Sequence, residues 1–60
     1  MTYPKLRRAL AKVYGPKNFR IRATGAVEVY GTMPHTNKVG WFHKFDTCTA
    51  EAYNFTETNL

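Results

Sequence analysis

Sixty residues, with nine lysines and arginines against four acids and a net charge of +5, describe a single domain, 1–60, with a marginal core. A chain of this length buries only ~60% of the surface its unfolded form exposes. The lone cysteine, Cys48, closes no internal disulfide and no ligand set has metal spacing, so a disulfide scaffold and a zinc-stapled module are both excluded.

Nine aromatic residues carry much of the apolar area, more than so small a core readily hides, and some are expected at the surface. No stretch approaches a membrane span, and "MTYPKLRRALAKVY" has no continuous apolar region of the secretory kind. With one unpaired cysteine, a cytoplasmic, reducing location is expected, where the "NFT" sequon at 54–56 carries no sugar. The charge is lopsided. Residues 1–30 hold Lys5, Arg7, Arg8, Lys12, Lys17, Arg20 and Arg22 against Glu28, a net +6. Residues 31–60 hold Lys38 and Lys44 against Asp46, Glu51 and Glu57, a net −1. Such a footprint suits an anionic partner, nucleic acid or an acidic protein surface, although a solvated basic face would look the same.

The first element is an amphipathic helix over roughly residues 3–14, with Thr2 as cap, Pro4 in the first turn and Gly15-Pro16 as the stop. Leu6, Leu10, Val13 and Tyr14 form its apolar stripe, and Lys5, Arg8 and Lys12 line another face. "FRIRATGAVEVYG" then reads as a hairpin. A two-residue turn at Thr24-Gly25 would set Ile21 against Glu28 and Arg22 against Val27, mixing apolar and charged partners. A three-residue loop, Ala23-Thr24-Gly25, with Gly25 left-handed, instead pairs Phe19 with Val29 and Ile21 with Val27. The opposite face then pairs Arg20 with Glu28 and Arg22 with Ala26, with Tyr30 nearby.

A loop over 31–37 leads to a third strand, "KVGWFHKF". Strict alternation places Val39, Trp41, His43 and Phe45 on one face and Gly40, Phe42 and Lys44 on the other. Trp41 is expected at the centre of the core, and Gly40 leaves room for a neighbour to approach. In the tail, Asp46, Thr47 or Thr49 caps a short helix through 50–55, with Tyr53 and Phe55 leaving a strand as the alternative and residues 57–60 frayed. The expected class is α+β, a helix on a three-stranded antiparallel sheet with a short C-terminal helix.

Catalysis finds little support. His43, Asp46 and Cys48 lie close in sequence, but His43 and Cys48 fall an odd number of steps apart, on opposite sides of a strand. A zinc site from His35, His43, Asp46 and Cys48 lacks any paired ligand motif, and no phosphate-binding glycine loop occurs. Neither a catalytic residue, a cofactor nor a metal is assigned. The stronger signal combines cations with aromatics. Lys5, Arg8, Lys12, Arg20 and Arg22 are the candidate nucleic-acid contacts. Tyr30 and the loop residues Met33, Pro34, His35, Asn37 and Lys38 are the candidate partner-binding set.

Double-stranded RNA-binding domains share this element order, but they need a lysine-rich start to the second helix where this chain has "TCTAEAYNF". The HicA-type toxin ribonucleases also share it, without their Gly-Ser-His strand signature appearing here. The block "NFRIRATGAVEVYGTMPHTNKVGW", preceded by "KLRRALAKVYG", resembles small uncharacterised proteins of tailed bacteriophages over about residues 5–41. That resemblance rests on a "G-x-V-x-V-Y-G" strand and an "MP-x-T-N-x-x-G-W" loop. It implies expression in the cytoplasm of an infected bacterium and takeover of one host component by binding. The expectation is therefore a small basic non-enzyme acting stoichiometrically on nucleic acid or on the host machinery that handles it. An inhibitor working through the aromatic loop, and a minimal ribonuclease using His35 or His43, are the alternatives. No membrane partner is expected, and a homodimer would use the open sheet edges.

Overall fold

The computed structural model describes residues 3–60 and has the expected α+β architecture. Helix α1 (Pro4–Tyr14) is followed by strands β1 (Phe19–Ile21), β2 (Ala26–Thr32) and β3 (Val39–Asp46), then helix α2 (Ala50–Asn59). The strands form one antiparallel sheet in the order β1-β2-β3. Both helices contribute to one core on the same side of that sheet, leaving the other side open to solvent.

Proline opens α1 because its missing N–H falls where no partner exists. Thr2, the cap suggested by the sequence, lies outside the described residues; Tyr3 holds the cap position in a left-handed conformation, φ 49°. Gly15, at φ 101°, closes the helix with its N–H donating to the Ala11 carbonyl. The buried stripe is Leu6, Ala9 and Leu10, with Tyr14 half-buried. Val13, expected in that stripe, is exposed instead. Helix α2 packs beside α1, and the side of α1 that is buried runs through Leu6, Ala9 and Leu10, which leaves Val13 outside it.

The β1–β2 hairpin has the register derived from its pattern: Phe19 with Val29, Arg20 with Glu28, Ile21 with Val27. Arg22 N–H donates to the Ala26 carbonyl, and Gly25 turns the chain at φ 93°. A Cβ on Gly25 would meet Thr47 Oγ1 at 3.0 Å, while Thr47 N–H donates to the Gly25 carbonyl at 2.8 Å. Gly25→Ala therefore combines left-handed strain with a crowded contact. It is expected to lose at least about 1–2 kcal/mol, measured as a lower urea midpoint with unchanged slope.

β3 departs from strict alternation. Val27 pairs with Phe45, but Glu28 pairs with His43, so Lys44 is the extra residue of a β-bulge. The inserted step turns Phe45 away from the Trp41 and His43 side and buries it beneath the helices with Phe42. Trp41, expected in the core, sits on the open side and is 37% exposed. The core itself is Leu6, Leu10, Val27, Val29, Phe45 and Ala52, edged by Phe19, Ile21, Phe42 and Phe55. Phe55 ties the helices together, stacking on Tyr14 (centroids 6.3 Å) and tilting against Phe45 (5.4 Å).

The tail is helical. Thr49 Oγ1 accepts from Ala52 N–H and donates to the Asp46 carbonyl, and Glu51 in the first turn complements the helix dipole. α2 continues past Phe55, where the sequence suggested an end, to Asn59, whose side chain donates to the Phe55 carbonyl.

Candidate functional site

Because the helices cover only one side, the outward-pointing residues of three strands make a continuous surface. Arg20 comes from β1, Glu28 and Tyr30 from β2, Trp41 and His43 from β3. Tyr30 lies directly across from Trp41, and their rings meet edge to face with centroids 5.7 Å apart. The Arg20 guanidinium reaches across β2 to lie 4.3 Å from the centre of the Trp41 ring. Arg20 Nε–H donates to Glu28 Oε1 at 2.6 Å, and Arg22 reaches the same oxygen at 3.3 Å. One carboxylate therefore orders two guanidiniums, and through Arg20 it also orders the aromatic ring.

That arrangement acts on Glu28 in turn. Its carboxyl is held below the ordinary value chiefly by the hydrogen bond from Arg20; lost hydration opposes this, and the charge of Arg20 with the hydrogen bond and charge of Arg22 add to the lowering. At neutral pH the cluster is fixed as two cations and one anion.

At the far end of the strip His43 Nε2 lies 3.0 Å from Asp46 Oδ1, both half exposed. Cys48 is exposed in the turn that follows. Among the described residues, no three His, Cys, Asp or Glu side chains converge on a metal-sized site. Nor, among them, is any helix long and apolar enough to cross a membrane.

The residues singled out from the sequence fall into three places. Arg20, Arg22 and Tyr30 share the open sheet face. Lys5, Arg8 and Lys12 are exposed on α1, which packs against the other side of the sheet, so they do not join that face. Pro34, His35, Asn37 and Lys38 are exposed in the β2–β3 loop, with Asn37 at φ 58° and Lys38 N–H donating to Thr36 Oγ1. Met33 does not project with them. It is half-buried and folds back over Gly40, where an added Cβ would lie 2.7 Å from its Cε methyl. The close approach anticipated at Gly40 is thus made by a methionine side chain.

Trp41 is the residue that strand alternation alone missed. The signal was present in "FHKF": two phenylalanines three apart cannot share a face of a regular strand, so burying both demands a bulge. The class defined by these features is a two-layer α+β domain with an open, aromatic and arginine-bearing sheet face. No family model, curated protein or solved structure matches the chain.

Proposed function

We propose that this chain is a small, basic, non-enzymatic binding protein of bacteriophage type, working stoichiometrically in the host cytoplasm on nucleic acid or nucleic-acid-handling host machinery. The observation that carries the proposal is the open sheet face. An arginine stacked on the sole tryptophan, with a tyrosine at its edge, stands exposed on a chain of net charge +5. Aromatic faces flanked by cations suit bases and phosphates together. The exposed cations of α1 add a positive field that draws polyanions from either side of the domain.

A second reading, inhibition of a host protein by contact, is favoured by the exposed loop 34–38 and the neighbouring Val39, 62% exposed, which extends the apolar strip beyond Trp41. In that case the charge steers the encounter and does not hold the complex.

Fluorescence anisotropy of labelled nucleic acid over a salt series decides between them. Binding whose log affinity falls linearly with log salt supports phosphate contacts, the slope giving the number of cations engaged. Absence of binding at low salt leaves the protein-directed reading. Reversing Arg8 and Lys12 to glutamate is expected to weaken nucleic-acid binding a few-fold at low salt. The difference should fade at high salt, because these side chains lie across the sheet from the aromatic face.

A further inference from the structure

We infer that the open sheet face takes the unpaired bases of a single-stranded nucleic acid, with the stacked Arg20–Trp41 pair as the platform; this rests on the nucleic-acid reading above.

Core economy is the first reason. Only a handful of side chains are fully buried here, yet the largest apolar side chain in the sequence stays outside, 37% exposed, with Tyr30 beside it at 43%. The core is closed without either ring, since Phe42, Phe45 and Phe55 fill the space between sheet and helices. The bulge at Lys44 is what makes this possible, because it returns Phe45 to the core without turning Trp41 inward. The two rings pack on each other and on Arg20 but add nothing to the buried core, and their outer surfaces are left for an external planar ligand.

Charge distinguishes the kind of nucleic acid. A duplex hides the faces of its bases and offers phosphates and groove edges, so a protein that grips it does so mostly with free cations. On this face both arginines are committed to Glu28, at 2.6 and 3.3 Å, which leaves the cluster with roughly one net positive charge. The cations of α1 that could add to it lie on the other side of the molecule. A single strand turns its bases outward and gains from stacking, a contribution that needs little charge. Arg20 fits that role as well, because a guanidinium plane held against a tryptophan presents a flat, positively charged surface to a base or its phosphate. Beyond Trp41 the strip continues through Thr32 and Val39 to the exposed amide and ammonium groups of Asn37 and Lys38. These give the backbone of a strand polar contacts past the aromatic pair.

Because Trp41 is the sole tryptophan, its own fluorescence reports the contact. The full chain would be titrated with a short oligodeoxythymidylate, an oligouridylate and a hairpin DNA duplex of the same length, with anisotropy of the same labelled probes in parallel. Single strands are expected to quench Trp41 and to bind more tightly than the duplex. Trp41→Ala is expected to weaken single-strand binding roughly 5- to 150-fold, the worth of one stacked base, and Trp41→Phe to recover most of it. Tyr30→Ala, which leaves the tryptophan in place, is expected to lower affinity and quenching together. Circular dichroism confirms that the variants keep the fold. Equal or tighter duplex binding, binding without quenching, or unchanged affinity in Trp41→Ala would overturn the single-strand inference while the broader nucleic-acid reading stands. No binding of any probe at low salt overturns both.

Discussion

Leu10→Ala is expected to remove a large share of the stability of this protein, from about a quarter to all of it. Leu10 is fully buried in the middle of α1, in the cluster it forms with Leu6, Val27, Val29, Phe45 and Ala52. Truncating such a leucine loses the transfer energy of its methyls and leaves a cavity, together about 2–5 kcal/mol. Small domains hold about 0.05–0.15 kcal/mol per residue, so the whole stability here is roughly 3–9 kcal/mol. The substitution therefore consumes between a quarter of that stability and all of it. Thermal unfolding followed by circular dichroism should show a midpoint lower by about 10–30 °C, or a chain already unfolded at room temperature. Val13→Ala, one turn further along the same helix but 46% exposed, should shift stability by no more than about 0.5 kcal/mol. Similar costs for the two substitutions would mean that α1 presents a different face to the sheet.

Glu28→Gln is expected to strengthen binding and to cost a little stability at neutral pH, a cost that disappears in acid. The carboxylate neutralises Arg20 and Arg22, so removing its charge frees two guanidiniums for phosphates. For a single strand the slope of log affinity against log salt should steepen by up to about 1.4, and affinity at moderate salt should rise on the order of tenfold. An unchanged slope would show that these arginines do not reach the ligand.

The stability effect follows from the lowered titration of the same group. The folded carboxyl ionises below the ordinary value near 4.5 at which the unfolded chain titrates. Between those two values the unfolded chain binds more protons, so stability rises with pH through that window. The contribution is complete above about 4.5 and is lost as pH falls through the folded value. In Glu28→Gln this part of the acid dependence should vanish, seen as a flatter profile of urea midpoint against pH on the acid side. Its size is small, because the group stands at the surface where water and salt screen it.

Much of the architecture was legible residue by residue. Pro4 and Gly15 bound α1 because one lacks a donor and the other accepts positive φ. The β1–β2 register follows from period-two burial, since a one-residue slip would set Ile21 against Glu28 and Arg22 against Val27. Thr49 starts α2 because its hydroxyl and its carbonyl both accept from the first-turn amide of Ala52. The shared salt bridge to Glu28 follows from the same register, so half of the candidate site was written into the hairpin.

The other half depends on what covers the sheet. A strand's alternation says which residues share a side but not which side is buried, and it fails where an extra residue enters. "VGWFHKF" is compatible with Trp41 inside and Phe42 outside, or the reverse with a bulge, and nothing local chooses. The choice is made by two helices packing on one face, where Val27 and Val29 need Phe45 and Phe42 across from them to close the core with Leu10 and Ala52. Once Phe45 is drawn inward at Lys44, Trp41 has only the open side, and Arg20 and Tyr30 meet it there. Local chemistry thus determines where the helices and strands begin, end and pair. The placing of the tryptophan is a long-range outcome, because the volume beneath the helices is already filled.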